Sequence, residues 1–147
     1  RECTCTEGEI RHYVRKISGP LLDRIDLHIN VQRPKYAELT SSVRAETSES
    51  IAARVAAARS IQAERLSAWN MLNNAQMGHS QIRATCKMTE AGKDILKEVF
   101  EKLHLSARSY DRITKVARTV ADLSGSDIIE PEHVAEAVSY RNTLPRV

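Results

Sequence analysis

A chain of 147 residues, 41% of them hydrophobic, can bury one moderate core, or one domain with a piece of another attached. Aromatic residues make up only 4%, and with few glycines and prolines the apolar mass is Ala, Leu, Ile and Val, a composition that favours packed helices over a sheet-rich fold. A net charge of +3 permits contact with an anion without implying a nucleic-acid-binding face; three cysteines argue against a disulfide framework and for a reducing compartment; and no apolar run approaches the roughly 20 residues that span a bilayer.

The chain is therefore expected to be cytoplasmic, and because it opens on Arg1 it reads as a fragment. Cys3 and Cys5 stand as Cys-Thr-Cys. Two thiols at that spacing make half of a structural zinc site, but the nearest further ligands are His12 and the distant Cys86, so reduced, metal-free cysteines are expected. From Glu7 to Ile17 the apolar residues Ile10, Tyr13, Val14 and Ile17 step by three, one and three, which predicts a short amphipathic helix stopped by Ser18-Gly19-Pro20. Ile25, Leu27, Ile29 and Val31 then alternate with Asp26, His28 and Asn30, the period of a half-buried strand. A lone strand leaves its backbone unpaired, so its neighbours are expected outside the chain, and residues up to Val31 should be less ordered than the helices after them.

Arg33-Pro34 ends the strand, and residues 35–49, rich in Ser, Thr and Glu, read as a helical turn and a linker. Ser50 is placed to cap a long Ala-rich helix from Ile51 to about Trp69, with Ile51, Val55, Ala58, Ile61 or Gln62, Arg65 and Leu66 along neighbouring rows. Asn70 to Ser80 reads as a loop, and Trp69 with Met71, Leu72 and Met77 reads as a hydrophobic plug. Thr89 caps the next helix, to Leu103, whose core face is Ile95, Leu96, Val99, Phe100 and Leu103. Ser106 caps the central helix, which buries Tyr110, Ile113, Val116, Ala117, Val120 and Ala121 on one face and carries Arg108, Arg112 and Lys115 as a basic stripe on another. Ser124-Gly125-Ser126 stops it, and Pro131 opens a last helix that buries Val134, Ala137, Val138 and Tyr140. The expected fold is mostly α: a four-helix bundle from about Ser50 to Tyr140, preceded by a short helix-strand piece.

An arginine in the first turn of a helix meets the positive end of the helix dipole. Arg108 is thus either solvated, at a cost of a few tenths of a kcal/mol, or a phosphate ligand. No Gly-x-x-x-x-Gly-Lys-[Ser/Thr] loop, His-Glu-x-x-His motif or carboxylate cluster is present, and the five histidines are scattered, with His133 reading as a capped or surface residue. Two arginines in suggestive settings remain, Arg24 just before the strand and Arg108 at the helix start.

Ser18-Gly19-Pro20-Leu21-Leu22-Asp23-Arg24-Ile25-Asp26-Leu27-His28-Ile29 resembles the segment that ends the ATPase core in AAA+ proteins of the magnesium chelatase and MCM helicase branch, and within it the ComM-type subgroup. A second block, Leu105-Ser106-Ala107-Arg108-Ser109-Tyr110-Asp111-Arg112-Ile113 running on to Ser124-Gly125, and a third from Ile128 through His133 to Tyr140-Arg141, extend the resemblance over nearly the whole chain. It implies a domain plan: 1–34 as the end of a truncated α/β ATPase core with an arginine-finger segment, 35–49 as linker, 50–147 as the helical lid with sensor 2. Arg24 is implied as the catalytic finger acting on a neighbouring subunit's ATP, and Arg108 as the nucleotide-binding sensor. ATP and Mg would be bound by the intact protein, a homo-hexameric DNA motor, whereas this chain alone, without a phosphate loop, is expected to be an inactive monomer with no cofactor. Cys3 and Cys5 match the second half of a cysteine cluster of the subgroup. Two other readings compete: a stand-alone helical module that binds a protein or nucleic acid, and a chelatase-type ATPase for metal insertion.

Overall fold

The computed structural model describes residues 4–16, 21, 24–36, 40 and 45–141. Cys3, the helix end at 17–20, the Leu22-Asp23 pair before Arg24, residues 37–39 and 41–44 of the expected linker, and 142–147 lie outside the described residues. Among the described residues run six α-helices: α1 (Glu7–Arg15), α2 (Ser48–Leu66), α3 (His79–Thr85), α4 (Glu90–Lys102), α5 (Ala107–Leu123) and α6 (Pro131–Ser139). Two 3-10 turns, Ser67–Trp69 and Asn74–Gln76, join α2 to α3.

A reciprocal cap starts α1. Thr6 Oγ1 accepts from the Glu9 N–H at 3.3 Å, while the Glu9 carboxylate accepts from the Thr6 N–H at 2.7 Å. Its Ile10 and Tyr13 are exposed. The expected strand from Ile25 to Val31 is not formed: residues 25–31 carry no ladder among the described residues. Exposure rises from 40% at Ile25 to 87% at Val31, without the alternation a half-buried strand would show. Alternating sequence needs a partner strand to become a strand, and here the His28 N–H is given instead to the Tyr140 carbonyl at 2.7 Å.

The long helix α2 begins before the expected Ser50. Ser50 donates its hydroxyl to Glu46 at 2.8 Å, and Thr47 is the cap, accepting from the Ser50 N–H at 3.2 Å. Only Ala58, Gln62 and Leu66 are buried, a line at four-residue spacing, and Ile51 and Val55 stay exposed. Of the expected plug, Met77 is buried with Leu66 and Ile82, and Met71 packs at its edge; Trp69 and Leu72 are exposed. Helix α3, unexpected from the sequence, starts after Gly78, whose N–H donates to Gln81 Oε1 at 3.1 Å.

The remaining helices start at the expected caps. Thr89 Oγ1 accepts from the Gly92 N–H at 3.2 Å and Ser106 Oγ from the Ser109 N–H at 3.1 Å. An isolated parallel bridge, Met88 to Ile129, ties the start of α4 to the loop before α6. The approach there is close, since a Cβ on Gly92 would stand 2.9 Å from Met88 Cγ and 3.3 Å from the Ile129 carbonyl. At the end of α5, Gly125 (φ +73°) donates its N–H to the Asp122 carbonyl at 3.2 Å and Ser126 donates to the Ala121 carbonyl at 2.9 Å, a Schellman motif. His133 closes the start of α6: its Nδ1 accepts from the Glu130 N–H at 3.0 Å, which leaves the ring proton on Nε2 to donate to Ser124 Oγ at 2.9 Å.

Leu96, Ile113, Ala117, Ala121, Ile129, Val134, Ala137 and Val138 make the main core, and Cys86 packs against both it and the smaller Leu66–Met77–Ile82 cluster. Helix α5 is buried along two parallel lines. Ile113, Ala117 and Ala121 form the apolar one; Thr114, Arg118 and Asp122 form a polar one. Tyr110, expected on the core face, is exposed and packs edge-on to Phe100, with ring centroids 6.2 Å apart.

Candidate functional site

The basic stripe of α5 divides by use. Arg112 pairs with Asp26 Oδ1 at 3.0 Å, and Lys115 Nζ donates to the carbonyls of Ala75 and Met77, each at 3.2 Å. Arg108, the second residue of the helix, is exposed and engages no hydrogen bond or ion pair among the described residues. Its neighbour Ser109 points the other way and is 1% exposed. The first turn of α5 thus presents one unengaged guanidinium beside helix N–H groups, a setting suited to an anion.

Arg24 is exposed and lies in a turn, its N–H donating to the Leu21 carbonyl at 2.9 Å. The residues just after it lie on the bundle. Arg141, just past α6, donates from Nη1 to the Ile25 carbonyl at 3.1 Å and from Nη2 to Ser109 Oγ at 3.2 Å. With the Asp26–Arg112 pair and the His28–Tyr140 hydrogen bond, this holds residues 25–28 against the start of α5 and the end of α6. A cavity of about 350 Å³ opens there, lined by Asp26, Leu27, Arg112, Val116 and Tyr140 among others. A second, of about 500 Å³, lies between α4 and α5 and is lined by His79, Lys93, Lys97, Phe100 and Tyr110. The His79 ring meets the Asp111 carboxylate at 2.9 Å on its rim.

One polar centre was not legible in the sequence. Arg118, the largest fully buried side chain among the described residues, donates from Nε to Asp122 Oδ1 at 3.0 Å, from Nη1 to the Asp127 carbonyl at 2.8 Å, and from Nη2 to the Ser126 carbonyl. Arg65 of α2 grips the same carboxylate through both oxygens at 2.7 Å, and Asn74 adds a donor at 2.8 Å. Burial pushes the Asp122 carboxyl up, but the hydrogen bonds from Arg65 and Asn74 and the charge of Arg118 outweigh it and hold the group below the usual Asp range. The centre joins α2, the 74–76 turn, α5 and the loop after α5, which is an architectural role. Its signal in the sequence was the four-residue spacing of Thr114, Arg118 and Asp122, parallel to the apolar line. Among the described residues no group of three or more His, Cys, Asp or Glu converges as a metal site requires, and Cys5 is exposed. No described helix is long and apolar enough to cross a membrane.

Comparison with known proteins gives matches over both parts of the chain. A family profile described as magnesium chelatase, subunit ChlI, matches residues 1–39, and one described as magnesium chelatase, subunit ChlI C-terminal, matches residues 45–141. The chain is 39% identical over 134 residues to the competence protein ComM of Haemophilus influenzae, covering 90% of this chain and 26% of that protein. It is 40% identical over 138 residues to the protein YifB of Escherichia coli, covering 93% of this chain and 26% of that protein. A protein of Mycobacterium tuberculosis is 33% identical over 146 residues, covering 99% of this chain and 29% of that protein. The chain therefore spans little more than a quarter of the length of these relatives. With more than half of its residues matched by the C-terminal profile, and in the mostly helical form described above, the chain belongs to the magnesium chelatase subunit ChlI C-terminal family.

Proposed function

We propose that the chain is the C-terminal lid and sensor part of a cytoplasmic, ring-forming AAA+ ATPase of the ComM type, with Arg108 as the sensor arginine and Arg24 as a finger acting on a neighbouring subunit's nucleotide. The observation that carries the reading is the state of Arg108: alone of its stripe it engages no partner among the described residues, at a helix start where a guanidinium gains from an anion opposite. ATP with Mg would supply the phosphoanhydride whose hydrolysis drives the motor. Arg108 would bind its phosphates, and Arg24 would neutralise charge on the transferring group, an effect worth about 10³ to 10⁵ in rate. The chain holds no Gly-x-x-x-x-Gly-Lys-[Ser/Thr] loop, so by itself it is proposed to turn over no ATP, and it is proposed to be a monomer. DNA is the proposed client, because identity of 39 to 40% to ComM and YifB runs through nine-tenths of the chain and the former is named for competence; a hexamer is the proposed ring. A chelatase-type role in metal insertion is the second reading, favoured by the description of both matched profiles as magnesium chelatase, subunit ChlI.

Mixed rings test the finger. Subunits with Arg24→Ala bind ATP but offer no finger; subunits lacking a working phosphate loop keep Arg24. Each alone should be nearly inactive, and mixing should restore part of the hydrolysis. Mixed rings that assemble and show no more activity than their parents would overturn the assignment.

A further inference from the structure

We infer that Arg141 is a positioning residue that couples the two candidate nucleotide arginines, because its single guanidinium holds the Ile25 carbonyl at 3.1 Å and Ser109 Oγ at 3.2 Å, the residues that directly follow Arg24 and Arg108. The inference rests on the proposed roles of those two arginines and adds how they are tied together. Arg141 is itself fixed: it is half-buried, and its N–H donates to the Val138 carbonyl at 2.9 Å at the end of α6. A guanidinium is a planar fork whose donors keep their mutual geometry, so one group can serve two acceptors and transmit a shift of either to the other. On the bundle side the acceptor is anchored, since Ser109 is 1% exposed in the first turn of α5. On the other side Asp26–Arg112 at 3.0 Å and His28–Tyr140 at 2.7 Å hold the same short stretch, so residues 25–28 follow the ends of α5 and α6 as one body. A displacement of the α5 start on phosphate contact at Arg108 is thereby passed to the turn that carries Arg24. Nucleotide sensing and finger placement in one subunit become a single movement.

Two readouts separate this coupling from the roles it rests on. In this chain, Arg141→Gln should speed amide exchange at His28 by about tenfold or more while the α5 core, for example Ala117, is unchanged. In the intact ATPase the same substitution should lower kcat by about tenfold with the KM for ATP within about twofold. Because Arg141 acts through Arg24, Arg24→Ala with Arg141→Gln should be no slower than Arg24→Ala alone, and Arg141→Lys, with one point donor, should recover only part of the loss. If Arg141→Gln unfolds the bundle, Ser109→Ala serves instead: it leaves Arg141 in place, removes its hold on α5 together with the 3.1 Å contact to the Ser106 cap, and should lower kcat while the bundle stays folded. Unchanged exchange at His28, or losses from Arg24→Ala and Arg141→Gln that multiply, would overturn the coupling. An Arg24→Ala enzyme of full activity would instead sink the proposed function, and the coupling role with it, while the exchange result would still report whether the clamp exists.

Discussion

Asp122 answers to two guanidinium groups with one carboxylate, and its side chain has no solvent exposure. Two positive charges and an amide on a buried anion leave it no spare lone pair, so Asp122→Asn strands Arg118 and Arg65 and should cost about 3 to 5 kcal/mol at neutral pH, read as the urea midpoint. The pH dependence has a definite sign. The folded-state pKa lies below the unfolded value near 4, so the stabilisation is present above about pH 4 and is lost as pH falls through the folded-state value. As pH falls below about 4 the unsubstituted chain should therefore lose stability more steeply than the Asn variant, because surface carboxylates such as Glu9 and Glu46 contribute equally to both. Arg108 behaves oppositely at this scale. It is exposed and engages nothing among the described residues, so Arg108→Ala should change stability by less than about 0.5 kcal/mol. A larger drop in a calorimetric scan would make Arg108 a structural residue.

At the scale of elements, local features were the legible ones in the sequence. Thr89, Ser106, Pro131 and Gly125 mark helix ends through their own hydrogen bonds or fixed φ, and all four sit where the sequence puts them. Gly125 is the sharpest case, because at φ +73° any Cβ is strained even though nothing stands within 4 Å. Gly125→Ala should cost about 1 kcal/mol in chemical denaturation, and Gly125→Asn less. The same Schellman turn delivers the Ser126 and Asp127 carbonyls to Arg118, so the loss should couple to Asp122 variants. Features that depend on distant partners were not legible. Residues 25–31 alternate as a strand does, yet no partner strand is present among the described residues, and α3 has too few turns for its apolar period to stand out. The polar line of α5 was missed for another reason: buried arginine is rare, and only the position of Arg65, far along the chain, makes Arg118 and Asp122 a centre. For the candidate site, Arg24 and Arg108 were singled out by motif order, whereas Arg141 gains its place only from how α6 ends against α5.

Over the whole molecule, two apolar clusters meet at one small side chain. Cys86 packs against the Leu66–Met77–Ile82 cluster and against the main core, and burial raises its thiol pKa despite a Thr85 contact and the charges of Arg118 and Arg65. A protonated thiol is a poor nucleophile, so Cys86, only partly exposed, reacts slowly while both clusters are closed and faster when they part. With Cys5 exposed, a thiol reagent should label Cys5 at once and Cys86 more slowly, at a rate that rises with opening of the two clusters. The slow phase should quicken in Asp122→Asn and remain as it was in Arg108→Ala, which mass spectrometry of the labelled peptides would show. The bundle thus carries its own clock, in which one sulfur atom registers how often the two clusters part.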